Sequence, residues 1–271
     1  MFAFAKNRFC RQLVLALSCV VVTSLAAVAV QASDLDTIEQ RGTLRVAVPQ
    51  DFPPFGSVGT DLQPQGYDID MAQYLADQMD VDLKLVTVTS ANRIPFLQTD
   101  KVDLVISSLG KNPERAAVID FTDAYAPFFL GIFGTPEAEP IELAAGLAGK
   151  TIGVTRGSVE DMELSDLAPG DTTIQRFEDN ATTISAFLSG QVDYIATGNV
   201  VAAQIAERNA ERAPTMVFRI KNSPCYIGLN QDNTALKTRV NELIERAKQD
   251  GMLEAMSQKW FHTALPDDLS S

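Results

Sequence analysis

The feature that most constrains this chain is a regular alternation between strand patterns and helix patterns. Segments rich in β-branched residues recur along the sequence, and most of them precede a segment with helically spaced apolar residues. Repeated strand–helix units predict an α/β protein with mainly parallel sheets and helices on both faces. The predicted strands are Thr43–Val48, Val81–Val88, Val102–Ser107, Thr151–Thr155, Thr172–Phe177, Val192–Thr197 and Thr215–Ile220.

Two helices are predicted from their own patterns. Asp68 precedes apolar residues that recur every three or four positions, and we expect its side chain to cap the helix that contains them. A second helix is predicted from about Thr182 to Leu188.

Two stretches interrupt the alternation and divide the chain into lobes. Pro and Gly residues cluster between Tyr125 and Pro140 and again from Pro214 to Gly228, without a clear helix pattern. If both stretches cross between lobes, one lobe is inserted into the other and the two connections form a hinge beside a cleft. The predicted divisions are a first lobe at 33–130 and 227–265, a second lobe at 135–223 and a tail at 266–271.

The first 32 residues have the pattern of a secretory signal peptide. Lys6, Arg8 and Arg11 precede an apolar stretch from Leu13 to Val30, which ends close to Ala32. Cleavage after Ala32 predicts a periplasmic protein. The alternative is an uncleaved anchor, because the apolar stretch is long enough to span a bilayer.

Charge and cysteine content narrow the possible partners. The 271 residues include 35 acidic and 22 basic side chains, a net charge of −13. Binding to nucleic acid needs an excess of Lys and Arg, so this partner class is excluded. Cys10 and Cys19 lie in the predicted signal peptide, which leaves Cys225 without an intrachain disulfide partner. Lipidation of Cys19 is disfavoured because the apolar stretch continues beyond it.

A series of short motifs gives the chain a family resemblance. In this order they resemble the polar amino-acid-binding proteins of ABC importers, over residues 35–262. The resemblance implies two Rossmann-like lobes joined by two crossover strands, the periplasmic binding protein-like II fold. It also implies a monomer that closes over a small ligand without a cofactor and delivers it to a membrane permease. The motifs are Gly42–Val48, Pro53–Phe55, Gly66–Ala72, Ile94–Leu97, Lys101–Asp103, Pro113–Arg115, Ile119–Thr122, Leu147–Val154 and Lys259–Phe261.

The resemblance implies positions for the α-carboxylate of an amino-acid ligand. Arg115 stands where the family has its carboxylate-binding arginine, and a guanidinium can make a two-pronged contact. Across the cleft, Arg156, Gly157 and Ser158 lie between a strand and a helix start, where free N–H groups favour an anion. Phe52 falls where the family carries an aromatic ring that stacks on the ligand.

Small residues mark the carboxyl end of the third predicted strand. Ser107 and Ser108 lie where α/β sheets bind ligands, although they can also simply end the strand. Gly110 departs from the family, which often has Ser or Thr there to contact the ammonium.

A further motif concerns the ligand's side chain. The segment Thr89–Pro95 resembles the glutamate/aspartate-binding members, in which its serine and arginine, here Ser90 and Arg93, hold the side-chain carboxylate. Arg93 would give the cleft a second cation beside Arg115, which suits an acidic amino acid or a dicarboxylate. The alternative is that Arg93 bridges the lobes without contacting ligand.

The ligand's ammonium lacks its usual partner. Gly198, between Thr197 and Asn199, aligns with the family's ammonium-binding aspartate, and Asn180 stands where acidic-amino-acid binders can have a histidine. Either another group replaces that aspartate or the ligand has no α-ammonium. The candidate replacements are a backbone carbonyl, Asn199, Asp51 and Glu160.

An enzyme has little support in this sequence, and we expect a binding protein. The only histidine, His262, follows Trp260 near the C-terminus, which disfavours a nucleophile–histidine pair in the cleft and a metal site. One enzyme alternative stays open, because periplasmic cyclohexadienyl dehydratases resemble the same fold and hold a dicarboxylate. They need a buried, protonated acid, which no single Glu here supplies by sequence alone. A sensor for a membrane receptor is the remaining alternative.

Overall fold

The computed structural model describes residues 34–269. Its strands are β1 (Thr43–Val48), β2 (Asp51–Phe52), β3 (Gly56–Val58), β4 (Pro64–Gln65), β5 (Asp82–Thr87), β6 (Leu104–Gly110), β7 (Asp120–Ala126), β8 (Phe129–Gly134), β9 (Thr151–Thr155), β10 (Thr173–Phe177), β11 (Tyr194–Gly198), β12 (Thr215–Asn222) and β13 (Cys225–Leu229). Its α-helices are α1 (Asp34–Arg41), α2 (Tyr67–Met79), α3 (Arg93–Gln98), α4 (Pro113–Ala116), α5 (Val159–Leu167), α6 (Asn180–Leu188), α7 (Asn199–Arg208), α8 (Thr234–Gln249) and α9 (Met252–Phe261). Short 3-10 turns occupy Ser90–Asn92, Ala144–Leu147 and Ala210–Arg212.

The first sheet has the strand order β5-β1-β6-β13-β7. Strands β5, β1 and β6 run parallel, whereas β13 is antiparallel to both of its neighbours. Every residue of β6 is buried, and Leu44 and Val46 of β1 pack in one core with Leu75 of α2 and Leu243 of α8. A central strand covered on both faces needs a nearly continuous apolar sequence, which is why this segment contains few polar residues.

The second sheet has the strand order β10-β9-β11-β8-β12. Strands β10, β9 and β11 run parallel, and β8 is antiparallel to both β11 and β12. Two apolar clusters cover this sheet. One contains Ile152 of β9 and Leu164 of α5, and the other contains Ile195 of β11 and Phe187 of α6.

Two short crossings join the sheets. Pro127 and Phe128 lie between β7 and β8, and Ser223 and Pro224 lie between β12 and β13. The crossings contact each other, since the Ser223 N–H donates a hydrogen bond to the Phe128 carbonyl at 3.0 Å. This arrangement is the two-lobed α/β fold that the sequence predicted, with two crossover connections.

Three strands that pair antiparallel, β7, β8 and β13, were not predicted from the sequence. β8 contains Gly131 and Gly134, and β13 follows Pro224, so residues that signalled an interruption lie inside or beside strands. Each sheet is therefore mixed instead of mainly parallel. The first lobe was expected to end at residue 130, but β8 begins at Phe129 and pairs only within the second sheet. The lobe boundaries otherwise stay a prediction.

The predicted capping role of Asp68 is wrong. Helix α2 already begins at Tyr67, and Asp68 is fully buried within its first turn. Its carboxylate accepts hydrogen bonds from the Ser108 N–H and the Tyr125 hydroxyl. It does not accept one from the N–H groups at the start of α2. The second predicted helix is α6, which begins at Asn180.

The predicted signal peptide at 1–32, with Cys10 and Cys19, lies outside the described residues. Within residues 34–269, none of the helices is both long and apolar enough to cross a membrane. Leu269, in the predicted tail, is buried against the core of the first lobe, and the thiol of Cys225 is buried in β13.

Candidate functional site

A small polar cavity lies where the two lobes meet. Its volume is about 10 Å³, which is room for roughly one water molecule. An amino acid therefore enters only when the lobes separate or side chains turn. The first lobe contributes Phe52, Ser90, Arg93 and Ser108, and the second contributes Thr155, Ser158, Val159, Glu160, Asn180, Ala196 and Thr197.

Arg93 is the cation of this cavity. It begins α3, and its guanidinium donates to the Ser107 carbonyl at 2.7 Å and to the Ser90 hydroxyl. Its Nε is buried and has no hydrogen-bond partner. Burial lowers the pKa of Arg93, and the negative charges of Glu160 and Asp68 partly oppose that shift. A buried guanidinium with an unused donor favours an anionic partner.

Arg115 connects the two lobes. Its backbone N–H is capped by the Asn112 side chain at 2.9 Å, which fixes the start of the short helix α4. The guanidinium donates to the Gly110 carbonyl at 2.7 Å and, across the cleft, to the Gly157 carbonyl at 2.9 Å. Burial, and then the nearby charge of Arg93, lower the pKa of Arg115 to about 9, so it stays protonated at neutral pH.

Arg115 does not line the small cavity. It lines a neighbouring pocket of about 310 Å³, whose other walls include Leu109, Val118 and Met162. Ser90 and Arg93 line both spaces, so the pocket adjoins the cavity. Both predicted carboxylate-binding arginines therefore line the larger pocket, but only Arg93 also lines the small cavity.

Asp68 supports the first-lobe side of the cavity. Ser108 has a left-handed backbone with φ 43°, an unfavourable conformation for a residue with a side chain. Its N–H donates to Asp68 at 2.8 Å, and the Tyr125 hydroxyl donates to the other carboxylate oxygen at 2.5 Å. Burial raises the pKa of Asp68 to about 7, despite these hydrogen bonds and the charge of Arg93. Sequence reasoning missed this role because the helical spacing around Asp68 is equally typical of a cap.

Glu160 is the acid of the second-lobe side. It lies in the first turn of α5, where Ser158 caps the helix by accepting from the Asp161 N–H at 3.1 Å. Glu160 is only 5% exposed. Burial raises its pKa, while hydrogen bonds from its own N–H and the Ser158 hydroxyl and the charges of Arg93 and Arg115 oppose the shift.

Arg156 and Gly157 lie beside the cavity and not in its wall. The Arg156 side chain is about half exposed and pairs with Glu178 at 2.9 Å. Gly157 has φ 72°, and its Cα approaches Ala91 of the other lobe so closely that an added Cβ would lie 3.0 Å from the Ala91 Cα. A glycine is thus needed where the lobes touch.

Phe52 and Asn180 line the cavity from different lobes. Asp51, the neighbour of Phe52, links the lobes by hydrogen bonds to Asn180. Phe52 lines the cavity and stacks on Phe55 with 6.0 Å between ring centroids. The Asp51 carboxylate, on β2 of the first lobe, accepts from the Asn180 N–H at 2.8 Å and the Asn180 side chain at 3.0 Å. Asp51 also accepts from the Ala181 N–H at 3.3 Å, so both of its oxygens are occupied by α6.

The end of β11 has less contact with the cavity than the sequence suggested. Thr197 lines it, whereas Gly198 and Asn199 do not. A Cβ at Gly198 would come within 1.7 Å of the Phe128 ring, so this aromatic side chain fills the space beside the glycine. The Asn199 side chain accepts from the Phe129 N–H at 3.0 Å.

The remaining predicted positions are structural neighbours of the cavity. Ser107 contributes its carbonyl to Arg93, and Gly110 contributes its carbonyl to Arg115. An added Cβ at Gly110 would lie 2.7 Å from the Ser223 hydroxyl and 2.9 Å from Val159. Over residues 34–269, no three His, Cys, Asp or Glu side chains are grouped to hold a metal ion. The arrangement is suited to binding a small charged molecule.

Known proteins resemble this chain over both lobes. Residues 44–263 match the family described as bacterial extracellular solute-binding proteins, family 3. The L-cystine-binding protein TcyJ of Escherichia coli (strain K12) is 25% identical over 84% of this chain and 85% of its own length. The ABC transporter glutamine-binding protein GlnH of Bacillus subtilis (strain 168) is 26% identical over 73% of this chain and 72% of its own.

A solved structure gives a similar result. The ancestral amino acid-binding protein AncCDT-1, a precursor of cyclohexadienyl dehydratase, has a TM-score of 0.78 and 31% identity, and the match covers 84% of this chain and 100% of that protein. The ligands named for these proteins differ from one another.

Proposed function

Because this chain belongs to family 3 of the bacterial extracellular solute-binding proteins, we propose that it captures a small amino acid or related carboxylic acid by closing its lobes. It then delivers the ligand to the membrane permease of an ABC transporter. The observation that carries the ligand class is Arg93, whose buried Nε has no partner within the described residues. A carboxylate is the group that best satisfies such a donor.

The finer proposal is an acidic ligand, with glutamate or aspartate first and a related acid that lacks a normally held amine second. Arg93 and Arg115 are 6% and 4% exposed, and neither forms an ion pair with a carboxylate among residues 34–269. Burying two positive charges costs free energy unless anions compensate them. A ligand with two carboxylates supplies that compensation.

Calorimetry with a ligand panel tests the proposal. The panel contains L-glutamate, L-aspartate, L-glutamine, L-arginine, L-cystine, 2-oxoglutarate and succinate. We expect the tightest binding from glutamate or aspartate. A preference for arginine would contradict the acidic assignment, because a second cation would then face Arg93. Native mass spectrometry of protein purified without denaturation adds an independent identification of a retained ligand.

The location and partners are part of the same proposal. The signal-peptide pattern at 1–32 supports export to the periplasm, and N-terminal sequencing of the exported protein is expected to begin at Ser33. Light scattering is expected to report a monomer. Genes for a permease beside this one would support transport, whereas a receptor kinase gene would favour the sensor alternative.

A dehydratase is the second candidate function, and Glu160 is the observation that favours it. A buried carboxyl whose pKa is raised can act as a general acid. We expect no turnover when the protein is incubated with prephenate or arogenate and the aromatic product is followed by ultraviolet absorption. Turnover that Glu160→Gln abolishes would replace the binding assignment.

A further inference from the structure

We infer that Glu160 binds the amine nitrogen of the ligand, so that the cavity selects amino acids over acids of similar shape that lack the amine. The inference rests on the proposed function, because it concerns the same cavity. It assigns the ligand a cationic group in addition to its carboxylates.

The Glu160 carboxylate can accept further hydrogen bonds. Its side chain lines the cavity and is nearly fully buried. Its carboxylate accepts hydrogen bonds from its own N–H and from the Ser158 hydroxyl, and none of the ion pairs within the described chain involves Glu160. A carboxylate accepts about four hydrogen bonds. The oxygens of Glu160 therefore have acceptor sites that an ammonium group can use.

The other acids near the cavity already accept hydrogen bonds from protein groups with both oxygens. One Asp51 oxygen accepts from the Asn180 and Ala181 N–H groups at the start of α6, and the other accepts from the Asn180 side-chain amide. Asp161 accepts from a guanidinium at 2.7 Å and from a backbone N–H at 3.0 Å. Asp68 accepts from a backbone N–H and a tyrosine hydroxyl, and it is not part of the cavity wall. None of these three acids lines the cavity, whereas Glu160 does.

The residues at the end of β11 do not supply an acid for the ligand's amine. The Phe128 ring fills the space beside Gly198, and the Asn199 side-chain oxygen already accepts from the Phe129 N–H. Neither side chain carries a negative charge, and neither residue lines the cavity. This leaves Glu160 as the acid that faces the cavity from the second lobe.

The wall that faces Glu160 across the cavity carries the opposite charge, that of Arg93. Arg93 contributes a buried donor from the first lobe, and Glu160 contributes an acceptor from the second. A molecule with a carboxylate and an amine matches this polarity. A dicarboxylate without the amine would bring negative charge towards Glu160, and like charges in a buried site repel.

Calorimetry on Glu160→Gln tests the inference, with Glu163→Gln as the matched control. Glu163 lies on the same helix, but it pairs with Lys221 at 2.5 Å and does not line the small cavity. The probes are L-glutamate against glutarate, and L-glutamine against 5-amino-5-oxopentanoate, its analogue without the amine. Wild type should prefer the amino acid of a pair by about tenfold or more, and Glu160→Gln should remove most of that preference. Glu163→Gln should retain it.

The outcomes separate the inference from the function it rests on. Equal weakening of amino acids and amine-free acids by Glu160→Gln, or no change in either, overturns the inference alone. Preference of wild type for the amine-free acid also overturns it, while capture of a carboxylate ligand stands. If wild type binds none of the probes or panel ligands, the proposed function fails with it. Thermal melting and circular dichroism confirm that each variant is folded.

Discussion

The two walls of the cavity have the same architecture but opposite chemistry. In both lobes the lining residues follow parallel strands, as is common in α/β sheets. The first-lobe wall holds the guanidinium of Arg93, fixed by a carbonyl and a hydroxyl. The second-lobe wall holds the carboxylate of Glu160 among hydroxyl and amide groups. The two walls therefore carry opposite charges although the two lobes have the same architecture.

The two buried arginines of the first lobe also differ in how they are held. Arg93 has an unused donor, whereas Arg115 spends its guanidinium on one carbonyl from each lobe. We therefore expect Arg93 to contact the ligand and Arg115 to stabilise the contact between the lobes. Variants of the two arginines should consequently have different effects.

The largest effect is expected from Arg93→Ala. Removing the cation of the first wall should weaken binding of the best acidic ligand by about 2–5 kcal/mol, a loss of tens-fold to thousands-fold. Arg93→Lys should be only partly better, since an ammonium lacks the fixed geometry of a guanidinium. Calorimetry measures both.

Arg246→Ala is the matched control for loss of a positive charge. Its guanidinium donates to Gln78 on the surface of the first lobe, outside the cavity wall. Binding should change by less than about threefold. If Arg93→Ala behaved like this control, Arg93 would be a structural arginine. The first-lobe wall would then have no cation that binds the ligand.

A smaller effect is expected from Arg115→Ala. The change removes the charged hydrogen bond to Gly157 across the cleft, a type of bond worth about 1.5–3 kcal/mol in typical cases. Affinity should fall about tenfold or more, and small-angle scattering should show a less compact protein at saturating ligand. Arg115→Lys should also lose affinity, because one ammonium does not reproduce both bonds. Unchanged compactness and affinity would remove Arg115 from closure and from binding.

Local patterns allowed much of the first wall to be predicted. Strand β1 has the bounds that a β-branched run indicated, Ser90 and Arg93 were named from a short motif, and Ser108 from its place at a strand end. These features depend on residues that are close in sequence. Ser90 and Arg93 lie three positions apart, at the start of one short helix, so a local motif can specify their contact.

Non-local contacts account for what the sequence did not reveal. The burial of Glu160 depends on the first lobe closing over α5, and a glutamate in an acidic chain usually lies on the surface. The packing of Phe128 against Gly198 joins a crossing segment to the end of β11. The role of Asp68 depends on Ser108 and Tyr125, which lie on other strands. No periodic pattern encodes such pairs.

The pH dependence of stability tests the support of the first wall. Burial raises the pKa of Asp68 from 3.8 to about 7, so between these pH values the folded protein keeps a proton that the unfolded chain has lost. The free energy of unfolding should therefore fall as pH rises through this window. Asp68→Asn should reduce that fall by about 1–3 kcal/mol between about pH 5 and pH 8.

Urea denaturation of wild type and Asp68→Asn at both pH values measures this difference. Asparagine keeps one oxygen for the Ser108 N–H, and its amide can donate to the Tyr125 hydroxyl. The raised pKa of Glu160 contributes equally to both proteins and cancels in the comparison. Parallel pH profiles would mean that Asp68 is ionised in the folded protein.

The smallest effect is expected where the two walls meet through Asp51. Asp51→Ala removes the first-lobe carboxylate that caps α6 of the second lobe, a type of contact worth about 1 kcal/mol. Affinity should fall about fivefold for every ligand without changing their order, because Asp51 stabilises closure and does not line the cavity. Asp179→Ala is the control, since Asp179 caps the same helix through the Thr182 N–H but belongs to the same lobe. Asp179→Ala should melt at a lower temperature and keep its affinity. If both variants lost affinity, the loss would be due to α6 itself and not to the contact between the lobes.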